Sequence, residues 1–217
     1  LTLGGDEGPA VVASVSGKIQ GLSSFTGDYG RRYTAVTIEV AEDEPATDSF
    51  DPAAEVSLAY LAQYFASAPG APPLNALADP DRTVSKLVIY GGDADLLTHT
   101  NQYVAKTQSE ALKKGIEILQ AATDLDEIVM ALPGETIQGH EYPGVRVLNV
   151  PAAYPSAQPL MVLYDTLGHT VPSDGDTAGL GVVFIRAEAV AAIGSAYLTG
   201  HLVTDKLVSV IDKQGVS

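Results

Sequence analysis

Two glycines followed by two carboxylates, Gly91-Gly92-Asp93-Ala94-Asp95, make the segment best suited to chemistry. Adjacent glycines let a backbone come close to a ligand, and acids two positions apart could hold a ribose or a cation. The same residues also end many strands as an ordinary turn, and both readings stand. Leu132-Pro133-Gly134-Glu135 has the Pro-Gly order of a type II turn first and of a site second. His99, His140, His169 and His201 are scattered, without the H-x-x-x-H or H-E-x-x-H spacing of a metal site. Thr26-Gly27-Asp28-Tyr29-Gly30 has half the ligand positions of a calcium loop. G-x-S-x-G, G-x-G-x-x-G and G-x-x-x-x-G-K-[ST] are all missing, which removes the usual triad elbow and the standard dinucleotide and triphosphate loops.

Composition narrows the classes further. The 217 residues carry 12 Lys and Arg against 27 Asp and Glu, a formal charge of −15. With no basic block to neutralise phosphates, and with Tyr residues that do not interleave with Lys or Arg, a nucleic-acid surface is not expected. The absence of Cys excludes disulfides, thiol catalysis, Cys-ligated zinc and iron–sulfur clusters within these residues. Apolar runs fall far short of the ~18–20 residues of a membrane span, so direct membrane insertion is not expected. The opening Leu-Thr-Leu-Gly-Gly-Asp lacks an initiating Met and a basic-then-apolar region. The expectation is therefore no signal peptide, and a piece of a longer protein.

The elements that must position these residues change character along the chain. Val11–Val15 and Tyr33–Val40 are rich in β-branched residues, the second alternating at the period of a half-buried strand. Gly17, Gly21, Gly27 and Gly30 between them predict tight turns of a small sheet or barrel. Glu39 to Asp51 holds six carboxylates and no basic residue, which reads as a solvated linker in preference to a cation or partner site. Asp51-Pro52 predicts a helix start, carrying Val56, Leu61, Tyr64 and Phe65 inward and stopping near Ala68-Pro69-Gly70. Strands and helices then alternate. Strands are expected at Lys86–Tyr90, Glu127–Ala131, Val145–Val150, Gly181–Ile185 and Lys206–Ile211. Helices are expected at Gln102–Ala122 (with Leu112, Ile116 and Leu119 on one face), Ser156–Gly168 and Ala187–Thr199. Such alternation predicts an α/β domain with a mostly parallel sheet. The organisation is a β-rich unit over 1–48, an acidic, Pro-containing connection over 49–80, an α/β domain over 81–205, and a terminal strand over 206–217.

One longer pattern carries a family resemblance. Tyr154-Pro155-Ser-Ala-Gln-Pro-Leu-Met-Val-Leu-Tyr164-Asp-Thr-Leu-Gly168-His-Thr-Val171-Pro172 is similar, without gaps, to the stretch Y-P-x-G-G-E-x-x-L-x-Y-x-L-x-G-x-x-V-P of the RnfC family. Those proteins are electron-input subunits of ion-translocating ferredoxin:NAD oxidoreductases and relatives of the complex I flavoprotein subunit. Ala13-Ser-Val-Ser-Gly17-Lys-Ile resembles the family's barrel-sandwich turn, and Lys86-Leu-Val-Ile-Tyr-Gly91-Gly-Asp93-Ala-Asp95 its x-L-I-I-N-G-A-E-C-E-P. Lys114-Gly115-Ile-Glu-Ile-Leu119 resembles the helix that follows. Gly179-Leu-Gly181-Val-Val and Leu198-Thr-Gly200-His-Leu-Val-Thr-Asp-Lys-Leu-Val-Ser-Val resemble later family segments in the same order.

The resemblance implies a Rossmann-like sheet of the complex I flavoprotein type after a small barrel-sandwich unit. It also implies FMN and iron–sulfur clusters in intact relatives, partner subunits of a membrane electron-transport complex, and a cytoplasmic location peripheral to the inner membrane. The departures alter what is expected of this chain. Where the family has a glycine-rich G-x-G-G-x-G-F-P-T loop around the flavin phosphate, this sequence reads Ala68-Pro69-Gly70-Ala-Pro-Pro-Leu-Asn. Pro has no N–H to offer an anion. Ala157, Gln158 and Pro159 replace the second Gly-Gly-Glu, Tyr90 replaces the Asn, Leu96 replaces a Pro, and the N-V-x-T turn falls on Arg186 and Ala189. What remains of a cofactor floor is Gly91, Gly92, Asp93 and Asp95, with Arg186 as the one cation able to meet a phosphate. The expectation is no cofactor in this stretch and a flavin/NADH fold serving as scaffold. The alternatives are a module binding another ligand or partner in the vacated crevice, or a cobalamin-reductase-like oxidoreductase that keeps flavin.

Overall fold

β-branched residues dominate Arg32–Val40 in the first of two units, Leu1–Ser49 and Phe50–Ser217, but no residue of that strand is buried, so the expected half-buried alternation is not met. The computed structural model describes residues 15–42, 50–81, 83–95, 97–134, 141–151, 153–171 and 176–210. In the first unit β1 (Gly17–Thr26) pairs antiparallel with β2 (Arg32–Val40), from Gly17 opposite Val40 to Thr26 opposite Arg32, with a bulge between Ile19 and Gly21. The connecting loop is a short 3-10 turn, with Tyr29 and Gly30 at φ 60° and 71°. Gly27 N donates to Arg31 O at 2.9 Å, so Thr26–Gly30 closes a hairpin. Gly17 and Gly21 lie within β1 and not at turns, which corrects two of the four predicted turn positions. The strand expected at Val11–Val15 lies outside the described residues except for Val15, a bend. Residues 43–49 of the acidic run also lie outside them.

The second unit is α/β with a four-stranded, all-parallel sheet. Its strands are β3 (Lys86–Tyr90), β4 (Glu127–Pro133), β5 (Val145–Val150) and β6 (Val182–Arg186), in the order β5-β4-β3-β6. The central strands read as near-continuous apolar runs because both faces are covered. Leu87 and Ile89 point into one core with Met130, Leu132, Val183 and Ile185. Val88 points into the other with Val129 and Ala131.

Helices α1 (Leu58–Phe65), α2 (Leu74–Leu77), α3 (Thr100–Thr107), α4 (Ser109–Ala122) and α6 (Ala187–Thr199) supply the first core. The helix α5 (Pro159–Leu167) covers the second through Val162 and Leu163. Leu112, Ile116 and Leu119 are buried on α4, as their spacing predicts. The α4 and α6 helices touch backbone to backbone. A methyl placed on Gly115 would enter the Val190 carbonyl, and one on Gly194 would enter that of Ala111.

Several boundaries differ from the sequence expectation. The helix expected over Gln102–Ala122 is two helices, broken at Gln108 with φ −116° and ψ 41°. Asp51 does not cap α1. Its Oδ1 accepts from Ala53 N at 2.9 Å in a local turn, while Ser57 Oγ accepts from Tyr60 N at 3.2 Å as the true cap. The helix predicted from Ser156 starts at Pro159, because Pro in the first turn gives up no helical bond. Gly168 and Gly200 end α5 and α6 at positive φ, the expected left-handed caps. Lys206 to Val210 form no strand. Leu132-Pro133-Gly134 is not a type II turn: β4 runs through Pro133, and Gly134 lacks the positive φ that turn requires.

Candidate functional site

The strand order puts a switch point between β3 and β6, since the chain leaves β3 toward β4 on one side and returns to β6 on the other. In open parallel sheets the crevice beyond the carboxyl ends at that point receives ligands. The residues that end these strands, Tyr90 and Arg186, stand opposite each other in register. Arg186 Nε donates to Tyr90 Oη at 3.0 Å. Tyr90 is buried while Arg186 is exposed. A phenol thus bridges to the cation that the sequence offered for a phosphate.

The paired glycines are packed against the chain itself. Gly91 N donates to Ala131 O at 2.9 Å, and a methyl on Gly91 would run into the Leu132 side chain. A methyl on Gly92 would stand 2.6 Å from the Ala157 Cβ. Gln158 draws the same loop inward, its Nε2 donating to Ala94 O at 3.3 Å. The space beside the two glycines therefore holds Leu132 and Ala157, which accounts for the glycines by packing.

Asp93 and Asp95 are also engaged locally. Asp93 Oδ1 accepts from Asn101 N at 2.9 Å and from Asn101 Nδ2 at 3.2 Å, while Oδ2 accepts from Gln102 N at 3.1 Å. The carboxylate lies on the first turn of α3, satisfying donors that a helix start leaves free. It occupies the position an anionic ligand would take there. Asp95 is exposed and its Oδ1 accepts from Leu97 N at 2.9 Å. A cleft of about 110 Å³ remains beside Asp93, Asp95, His99, Pro133 and Tyr154. Cofactor pockets span roughly 300–1,000 Å³, so it is too small for a flavin.

The segment aligned with the family's phosphate loop does not form a cradle either. The amides of Ala68, Ala71, Leu74, Ala76 and Leu77 donate to nearby carbonyls at 2.9–3.2 Å. Gly70, at φ 81°, is pressed against α6, where a methyl would come within 2.5 Å of Ala189 N. Pro73 stands ahead of α2. These residues do not fit an FMN phosphate.

The histidines do not converge. His99 precedes α3 and donates its backbone N–H to Ser209 Oγ at 3.1 Å, His169 follows α5, and His201 follows α6. His140 and Glu135 lie outside the described residues. Among the described residues no group of three His, Asp or Glu side chains could hold a metal ion. No helix of the described residues is long and apolar enough to cross a membrane.

Charge perturbation concentrates elsewhere. At the amino end of the sheet Glu127 is held down to about 2 by hydrogen bonds from Arg146 and Lys86, far from the crevice. Burial pushes the Tyr142 and Tyr197 phenols up. Sequence reasoning missed Glu188, buried in the first turn of α6 and paired with Lys206. The available signal was a lone acid in the otherwise small and apolar run Ala187-Glu-Ala-Val-Ala-Ala-Ile-Gly. No family model matches the chain, and no curated protein matches it.

Proposed function

We propose that this chain is the nucleotide-fold region of an RnfC-like electron-transport subunit in which the sheet acts as scaffold and not as a flavin or NADH site. The observation that carries the reading is the self-occupied crevice: Arg186 on Tyr90, Ala157 against Gly92, and Asp93 on the start of α3. Asp93 takes the helix-start position an anion would use, Ala157 covers Gly92, and Arg186 is tied through Nε to Tyr90. The sequence resemblance supports the family, with its complex I flavoprotein sheet and barrel-sandwich unit. In this proposal the redox centres belong to other parts of the parent or to partner subunits, and the complex is cytoplasmic and peripheral to the inner membrane. Native purification of the parent protein tests it. The expected result is co-fractionation with membrane-bound subunits and an iron–sulfur signal in electron paramagnetic resonance. Recovery of the parent by itself, free of membranes and redox centres, would overturn the assignment.

A further inference from the structure

The segment that follows α6 is held to the protein by side chains. Val203 to Val210 make no backbone-to-backbone hydrogen bond among the described residues. Exposure alternates along it, with Lys206, Val208 and Val210 exposed and Leu207 and Ser209 half-buried, the period of an extended chain seated on one side. Two polar contacts tie it down among the described residues. Lys206 Nζ pairs with the Glu188 carboxylate, and Ser209 Oγ accepts from His99 N at 3.1 Å. The two anchors are neighbours: His99 precedes α3, Glu188 stands in the first turn of α6, and Asn101 Oδ1 accepts from Glu188 N at 3.4 Å. Behind the segment the packing is open. Val203, Asp205 and Leu207 form one wall of a cavity of about 620 Å³, whose other walls are α6 and the α3–α4 junction. Interiors keep few voids larger than a water molecule, so a segment backed by such a space gains little packing energy there.

We propose that Val203–Val210 is a detachable strap, latched by Lys206 on Glu188 and by Ser209 on His99, that opens without unfolding the sheet. Backbone without hydrogen-bonded partners and a thin apolar seat, Leu207 against the main core, put it at the low end of local stability. The latch works through Glu188, which is 4% exposed and has Lys206 as its one ion-pair partner among the described residues. With Lys206 in place the buried charge is compensated. Without Lys206 the carboxylate recovers solvation only by admitting water under the strap, which favours the open state. Opening turns the cavity into a groove along α6.

The chain has no Cys, so two nitroxide labels can be placed without background. One goes on the strap at Val208→Cys, where the side chain is 74% exposed, and one at Ala121→Cys, exposed at the far end of α4. Double electron–electron resonance on the 217-residue chain then reads the spread of distances between them. The expected wild-type result is a narrow closed population with a minor broad one. Lys206→Met and Ser209→Ala should each raise the broad fraction by about threefold or more, with circular dichroism and the main Tm near wild type. Lys114→Met, which breaks the Lys114–Glu117 pair on α4, should leave the distribution unchanged. If Lys206→Met loses its native circular dichroism, Ser209→Ala carries the test by the same criterion. A narrow distribution that neither latch variant alters would overturn the proposal. So would a broad wild-type distribution that the variants leave as it is, or an equal rise in Lys114→Met.

Discussion

Arg186 Nε stands 3.0 Å from the Tyr90 hydroxyl, joining the last residues of β3 and β6 across the switch point of the sheet. A dinucleotide-type sheet ordinarily opens there to admit a ligand. Here a buried aromatic ring and its cationic partner bridge the gap, while Asp93 supplies α3 with the negative charge that a bound phosphate would bring. Two signs of charge that could serve a cofactor serve the fold.

Asp93 should therefore act on stability. Asp93→Ala removes the acceptor for two backbone amides and is expected to cost about 1–2 kcal/mol in urea denaturation. Asp93→Asn keeps one acceptor oxygen and should lose less. A loss in Asp93→Ala below about 0.3 kcal/mol would place that carboxylate's role outside the helix start.

Gly194→Ala tests the helix crossing by its sign. In an ordinary helix interior the change stabilises by about 0.5–1 kcal/mol. On α6 the new methyl would enter the Ala111 carbonyl of α4, so a loss of about 1–3 kcal/mol is expected. Thermal unfolding of the pair of proteins reads it directly, and a raised Tm would contradict the close contact.

Glu127 sets a pH dependence. Its folded value, about 2, lies below the ordinary 4.5, so its contribution is full above about 4.5 and is lost as pH falls through about 2. The side chain is 30% exposed, which limits the effect to about 0.2–1 kcal/mol. Wild type should lose more stability than Glu127→Gln between those pH values, and the gap should shrink in 1 M salt. Parallel profiles for the two proteins would remove Glu127 from the acid response.

The strands were legible in the sequence where burial on both faces made short apolar runs, as at Lys86–Tyr90 and Glu127–Ala131. Helix α6 and its Gly200 cap were legible for the same local reason. The break at Gln108 was not, because Lys106-Thr-Gln-Ser109 suits either a continuous or an interrupted helix, and packing of α3 and α4 decides between them. Asp51-Pro52 carried a start signal that Ser57 fulfils six residues later. At the crevice the residue types were legible and their engagements were not. Gly92 meets Ala157, and Arg186 meets Tyr90, over separations no local pattern encodes. Glu188 and Lys206 were hidden likewise, 18 residues apart with an irregular segment between.

The central claim is that the crevice at the ends of β3 and β6 is filled by the protein itself. Calorimetric titration of the chain with FMN and with NADH measures this most directly, with Arg186→Ala as companion. The predicted result is no saturable heat from either cofactor at micromolar concentrations, in wild type and variant alike. Micromolar binding of FMN or NADH that disappears in Arg186→Ala would contradict the account and return the crevice to cofactor chemistry.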